Sequence, residues 1–517
     1  MSLTACESSE CPVLQMSGIT KRFGSLVAND NVSFSLDAGE VVALLGENGA
    51  GKTTLMNILF GHYVADEGTI EVSGKRLTPG TPQAALAAGI GMVHQHFTLG
   101  ENLSVVDNVV IGTEPLVRPW RSRGARERIA EISKRFGLAV NPDAMIRDLS
   151  VGERQRVEIV KALYRDVRIL VMDEPTAVLT PQETDTLFAT LKHLVREGVA
   201  IVFISHKLRE VMEVADKVIV MRQGQLVAER RVRETTRDEL AELMVGRPVL
   251  FPTKEAISPG KPALRLDGIV VRQRADGPNL LNGVNLVLRQ HEILGIAGIA
   301  GNGQASLAGV ACGVVKPSDG FIHIAGSVTE SDPSEFVRRG VARIPEDRHA
   351  TGLIPEMSVW ENVVAERYRS AEFAFAGMQR IGAAKRYAKT IIDEFDVRGA
   401  VPTTAAKTLS GGNMQKLIIG RTLSQNPAII VATQPTRGLD IGAVAYVHAR
   451  LLEARERGAG ILLITEDLDE LFALSDRIAV MFRGSLGTSM AAGDVGMKEL
   501  GLRMAGHAAK SGAPSAA

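Results

Sequence analysis

Consecutive apolar residues, rather than alternating ones, set the pattern of this chain. Val41–Gly46 (VVALLG), Ile169–Asp173 (ILVMD) and Ala200–Ser205 (AIVFIS) are buried-type runs of strand length. Stretches with the spacing of amphipathic helices lie between them. Ile293–Ala300 and Gly460–Thr465 repeat the pattern further on. Strands apolar on both faces, alternating with helices, predict parallel sheets covered by helices on each side. A Gly-rich turn after Gly46 predicts a helix from about Lys52. No run approaches the ~18–20 apolar residues of a membrane-spanning helix. Met1–Glu10 has neither the basic nor the apolar region of a secretory leader. The chain therefore reads as soluble and cytosolic, with any membrane association made through a partner.

The same blocks occur twice, in the same order. Leu14–Gly18 (LQMSG) recurs as Leu264–Gly268 (LRLDG), and Gly46–Leu55 (GENGAGKTTL) as Gly298–Leu307 (GIAGNGQASL). Leu149–Leu163 matches Leu409–Leu423, Ile169–Thr176 matches Ile429–Thr436, and Ile201–Glu210 matches Ile461–Glu470. The offset is 252 residues at the glycine-rich block (298 minus 46) and 260 at the last three (410 minus 150). Five blocks in one order mean a duplicated domain, which a repeat search must find before any fold is assigned. The expected layout is a first domain over 11–248, a Pro-rich extended linker over 249–263 and a second domain over 264–506.

Composition narrows the partners. Lys plus Arg and Asp plus Glu each number 59, giving no net charge, which argues against a general nucleic-acid binder. The three cysteines, Cys6, Cys11 and Cys312, form no CxxC pair and read as free thiols.

Residues 46–53 (GENGAGKT) fit the phosphate-loop pattern GxxxxGK[ST]. Its glycines let backbone N–H groups wrap an anion at a helix N-terminus. Lys52 would reach the β- and γ-phosphates, and the Thr53 hydroxyl would hold Mg²⁺. Asp173 closes an apolar run and Glu174 follows it. A carboxylate at the C-terminal end of a strand near a phosphate loop can hold Mg²⁺ through water, and its neighbour can activate the attacking water. Taken alone, that pair reads as an ordinary strand end. Gln95 and His206 each follow an apolar strand and Phe23 lies in KRFG; alone, these too read as strand-end or core residues.

Together these residues resemble the ABC ATPase family, over Cys11 to about Gly506. The most specific element is the signature before the second strand motif: Leu149-Ser-Val-Gly-Glu153 in one half, Leu409-Ser-Gly-Gly-Asn413 in the other. The resemblance implies two tandem P-loop domains, each a RecA-like α/β core with a helical and an antiparallel β subdomain. It implies that Phe23 stacks on adenine, and that Gly46, Asn48, Gly49, Gly51, Lys52, Thr53 and Thr54 hold ATP. It further implies Mg²⁺ on Thr53, Gln95 and Asp173, Glu174 as catalytic base, and His206 as γ-phosphate sensor. In this family ATP lies between two domains arranged head to tail. The partners implied are two membrane permeases and an extracytoplasmic solute-binding protein, at the cytoplasmic face of the membrane. The helical segment 97–149 would meet the permeases. Its cluster of Arg118, Trp120, Arg121 and Arg123 reads as a solvated loop.

The second half departs from the family at the chemical positions. Gln304 stands for the lysine, Ala305 for Thr53, Thr433 and Gln434 for Asp173 and Glu174. Glu466 stands for His206, Glu346 for Gln95 and Gln273 for Phe23. Yet this half has the better signature, with Ser410, Gly411, Gly412 and Asn413, and an Asp440 where the first half has Thr180. With head-to-tail pairing, all intact parts meet at one hydrolytic site. The chain thus resembles the importer group for simple sugars and nucleosides, with Met92–Leu99 and Gln434–Asp440 nearest its nucleoside-type members. A soluble tandem ATPase acting on ribosomes or nucleic acid is the alternative.

Overall fold

A computed structural model describes residues 12–94, 97–113, 122–176, 179–205, 207–273, 279–299, 301–504 and 506. The chain divides into two compact units, Met1–Val249 and Leu250–Ala517.

In the first unit, six strands form the central sheet, in the spatial order Gln225–Arg231, Lys217–Arg222, Val41–Gly46, Ala200–Ile204, Ile169–Asp173, Ile90–Val93. All neighbours are parallel except the edge hairpin of Lys217–Arg222 with Gln225–Arg231. Val41 pairs with Ile201 and Val42 with Lys217. The three predicted strands are thus central, and every residue of Val41–Gly46 is buried, as two covered faces require. A second, antiparallel sheet contains Leu26–Leu36, Leu14–Phe23 and Glu67–Val72. A helical segment follows, with Val105–Val110, Ser122–Phe136 and a 3₁₀ turn at Ile146–Asp148.

The second unit repeats this plan. Its central sheet runs Val341–Ile344, Ile429–Thr433, Gly460–Ile464, Ile293–Ala297, Arg477–Phe482 and Ser485–Leu486. Its antiparallel sheet uses Asn279–Arg289, Pro262–Arg272 and Asp319–Ile324. Helices Val359–Val364 and Ile381–Glu394 occupy the helical segment. Within each unit the parallel order places the phosphate-loop strand beside the strand ending before Ser205 or Thr465, with the Asp173 or Thr433 strand next. The C-terminal ends of parallel strands are where α/β sheets bind ligands.

The segment 249–263, expected as an extended linker, makes specific contacts with the chain that follows it. The opening strand of the second unit starts at Pro262, a first-strand position that tolerates a missing N–H. Residues before it are tied down: Arg455, 1% exposed, forms a bidentate pair with Asp476 (2.7 and 2.9 Å) and donates to Glu255 O (3.0 Å). Lys254 donates to Ser475 O and lies 3.8 Å from Asp476. A guanidinium with carboxylate and carbonyl partners is a stable buried arrangement, and it secures this stretch of chain to the second unit.

Candidate functional site

The phosphate loop leaves the buried strand at Gly46 and enters helix Lys52–Leu59 through Gly51, at φ 96°. A Cβ on Gly51 would run into the Ala28 carbonyl oxygen, so the close approach requires glycine. Asn29, fully buried on the antiparallel sheet, donates its Nδ2 to Gly51 O at 3.1 Å and pins the loop. In the second unit Gly303 takes Gly51's place at φ 110°, but Leu281 stands where Asn29 does. The loop shape survives there without the polar pin.

Lys52 is buried and donates to Gly46 O (2.7 Å) and Glu47 O (3.0 Å). Burial lowers its pKa, opposed by the charges of Glu174, Asp173 and Glu47. Burial raises the pKa of Asp173, aided by Glu174 and opposed by Lys52. One cation and two carboxylates therefore share a poorly solvated space at the strand ends, the arrangement expected where charge is to be handled. Thr53 is exposed on the first turn and Thr54 is half-buried beside it; Gly46 is buried and Asn48 exposed. Mg²⁺ fits this donor set. A desolvated carboxylate with a second one beside it gains from a dication, which Mg²⁺ sites of one or two carboxylates plus phosphate supply.

Glu174 has φ 44°, in the left-handed region that a non-glycine residue seldom enters, and its N–H donates to Ile204 O at 2.9 Å. Gln434 repeats this at φ 47°, donating to Ile464 O at 2.7 Å. Both units keep this backbone conformation, but only the first provides a carboxylate there. In the second, Gln304 Nε2 donates to Ile299 O (2.7 Å), imitating the lysine without its charge. Glu346, in the Gln95 position, is ion-paired with Arg437.

Phe23 is 43% exposed and meets Tyr63 edge to face, with centroids 5.5 Å apart; Lys21 Nζ is 5.4 Å from the Phe23 ring. Tyr63, 40 positions from Phe23, carries no local sequence signal of this contact. Gln95 and His206 lie outside the described residues, as do Arg118, Trp120 and Arg121.

The two signature helices differ most. Ser150 caps Val151–Leu163 in a capping box with Glu153, and hydrogen bonds from Ser150's backbone and side chain hold the Glu153 pKa down. Gly152 N then donates to Glu183 Oε1 at 3.1 Å, and a Cβ on Gly152 would collide with that carboxylate. The other oxygen of Glu183 accepts from Thr180 N and Oγ1, both at 2.9 Å, capping the next helix, Pro181–Arg196. In the second unit Ser410 caps Gly411–Leu423, and Asn413 Nδ2 donates to its Oγ at 3.0 Å. A Cβ on Gly412 would meet nothing within 4 Å. Asp440 caps Ile441–Glu456 itself, accepting from Ala443 N at 2.7 Å, and Ala443 is the counterpart of Glu183. Arg348 lies by Gly411, 3.5 Å from a Cβ built there, and donates to Arg437 O (3.1 Å) and Gly438 O (3.5 Å). Neither Glu183 nor Arg348 was evident from motif spacing.

The family described as ABC transporter matches residues 29–177 and 281–437. The nucleoside import ATP-binding protein of Lactococcus lactis subsp. cremoris is 44% identical over 96% of this chain and 98% of its own length. The guanosine import ATP-binding protein of Bacillus subtilis is also 44% identical, with the same coverage of both chains. The glucose import ATP-binding protein of Haloferax volcanii is 42% identical over 96% of each. Among solved structures, an RNase-L inhibitor covers 92% of this chain, and 90% of that chain is covered, at TM-score 0.60 and 18% identity, a likeness of fold alone.

Proposed function

Because the chain belongs to the ABC transporter family and is an ATPase of that family, we propose that it powers import of a nucleoside or simple sugar by hydrolysing Mg-ATP at one composite site. The observation that carries this is the sorting of parts between the halves. Lys52, Asp173 and strained Glu174 share one unit, and the unobstructed Gly412 signature belongs to the other. The names of the relatives, at 44% identity over nearly the whole chain, support the importer reading.

In this mechanism the loop of residues 46–54 cradles the phosphates, and Phe23 with Tyr63 offers an aromatic platform for the base. Lys52 leaves its loop carbonyls for the β- and γ-phosphates. Thr53, Gln95 and Asp173 would hold Mg²⁺, which neutralises phosphate charge when bound. Glu174 takes a proton from the attacking water, and His206 contacts the γ-phosphate. Ser410, Gly411, Gly412, Asn413 and Asp440 complete the site from the second unit. Such preorganised donors are worth ~10²–10³ in rate each, so the second unit's own loop, without lysine or carboxylates, contributes little turnover.

The implied partners are two permeases and an extracytoplasmic solute-binding protein, with the chain at the cytoplasmic face of the membrane. Among the described residues no helix is long and apolar enough to cross a membrane. The test is ATPase stimulation in the reconstituted complex across a panel of nucleosides and simple sugars. Stimulation by none of them, with co-sedimentation on ribosomes instead, would overturn the importer reading.

A further inference from the structure

The N-termini of the two signature helices have different side-chain neighbours. At the first, Glu183 accepts the Gly152 N–H and Glu153 accepts the Ser150 N–H. At the second, the matching side chains are Ala443 and Asn413, and the Arg348 guanidinium packs by Gly411. A helix N-terminus attracts anions through its free N–H groups. In the first unit an internal carboxylate already occupies the inner donor. In the second unit that donor is sterically open and has a cation nearby.

We propose that these side chains are specificity determinants: Glu183 blocks the first signature against a γ-phosphate, and Arg348 helps the second to receive one. The inference rests on the composite-site reading and adds to it. The inactive site is then disabled twice, once in its loop through Gln304 and once in the signature that would face it. Glu183 costs the first unit no helix cap, because the same carboxylate caps Pro181–Arg196 through Thr180. The second unit achieves that cap with Asp440, which leaves position 443 free to be alanine. The exchange of Thr180/Glu183 for Asp440/Ala443 is thus one coordinated change that keeps both caps and opens one signature.

The Arg348 guanidinium lies 3.5 Å from a Cβ built on Gly411, beside the start of the signature helix. It also braces the Arg437–Gly438 backbone, so its test must separate charge from bracing.

The experiment transfers the blocking carboxylate. Ala443→Glu, Ala443→Gln, Arg348→Ala and Arg348→Lys are made in the full chain, with Gly412→Asp as a control on the composite site. ATP turnover and ADP affinity are measured, because ADP lacks the γ-phosphate. Ala443→Glu and Arg348→Ala are each expected to lower turnover by about 10²-fold, the worth of one such electrostatic contact, with ADP affinity unchanged. Ala443→Gln, of equal bulk, and Arg348→Lys, which keeps the charge, should retain most activity. Equal loss in the Glu and Gln variants, or full activity in Ala443→Glu or Arg348→Ala while Gly412→Asp is inactive, overturns the proposal alone. An active Gly412→Asp overturns the composite-site reading beneath it. Should Ala443→Glu fail to fold, the Arg348 pair decides the matter.

Discussion

Replacing Glu174 by glutamine should stop turnover while leaving the fold and nucleotide binding in place, and the second unit supplies the control. A general base contributes about 10²–10⁴ in rate, or ~2.7–5.4 kcal/mol at 1.36 kcal/mol per decade. The substitution need not disturb the strained turn, since Gln434 already occupies the same conformation at φ 47° against 44° for Glu174. Its electrostatic effect can be followed through the neighbours. Glu174 is one cause of the raised Asp173 pKa and the leading charge that opposes deprotonation of Lys52. Without it, Asp173 ionises more readily and Mg-ATP should bind as well or more tightly. The measurements are phosphate release by the permease complex and retention of labelled ATP. Gln434→Ala, made in parallel, should leave turnover near wild type. Equal losses in the two variants, or an active Glu174→Gln, would refute the single-site argument.

Gly412→Asp should abolish hydrolysis with little change in thermal unfolding, because its Cβ enters open space. Gly152→Asp should instead lower the unfolding temperature by crowding Glu183 and damage hydrolysis less; the reverse ranking, read by calorimetry and turnover, contradicts the pairing of parts. Asn29→Ala removes the pin on Gly51 O and should cost ~1–2 kcal/mol together with ATP affinity, and an unchanged nucleotide titration would show that the pin does not shape the loop. Asp173 has a folded-state pKa above the ordinary aspartate value, so its contribution to stability is present below that ordinary value and lost as pH rises through the raised one. Metal holding needs the ionised form, so Mg-ATP binding should weaken, as pH falls, sooner than an ordinary aspartate would dictate; Glu174→Gln should move this limb to lower pH, and a titration without that movement counts against the coupling. Cys312, buried with its thiol pushed up to about 12, should resist alkylation near neutral pH until the chain unfolds; rapid native-state labelling would contradict its burial.

Much of this was legible in the sequence because the signals are local. Val41–Gly46 and Ile169–Asp173 are strands over the expected residues, since a run apolar on both faces has few other places to go. The helix begins at Lys52 as expected, because a phosphate loop must end where helical N–H groups begin. The duplication was equally plain. What escaped was non-local. Glu183 sits in Thr-Pro-Gln-Glu, an ordinary capping box, and nothing in those four residues says that its second oxygen reaches Gly152, 31 positions earlier. Arg348 belongs to Arg348–Gly352, a short π-helical turn, and acquires its setting only when the Arg437–Gly438 backbone packs against it. Nothing in the Pro-rich composition of 249–263 announces that Glu255 meets Arg455, 200 residues away, or that Lys254 meets Ser475, 221 residues away.

The left-handed backbone at Gln434 bears on the history of this chain. A non-glycine residue in that conformation carries a cost on the order of 1–3 kcal/mol, and the second unit still bears it where no carboxylate remains to be aimed. The loop at Gly303 likewise keeps the turn of Gly51. The second site has therefore lost side chains while its scaffold has stayed. Gln304, Ala305, Thr433 and Gln434 stand on a framework already bent for lysine, threonine, aspartate and glutamate. Such a loss is reversible in a way that a collapsed loop would not be. On the proposed reading, restoring those four side chains would not suffice, because Glu183 would also have to release the Gly152 N–H, a requirement set by a residue outside every motif.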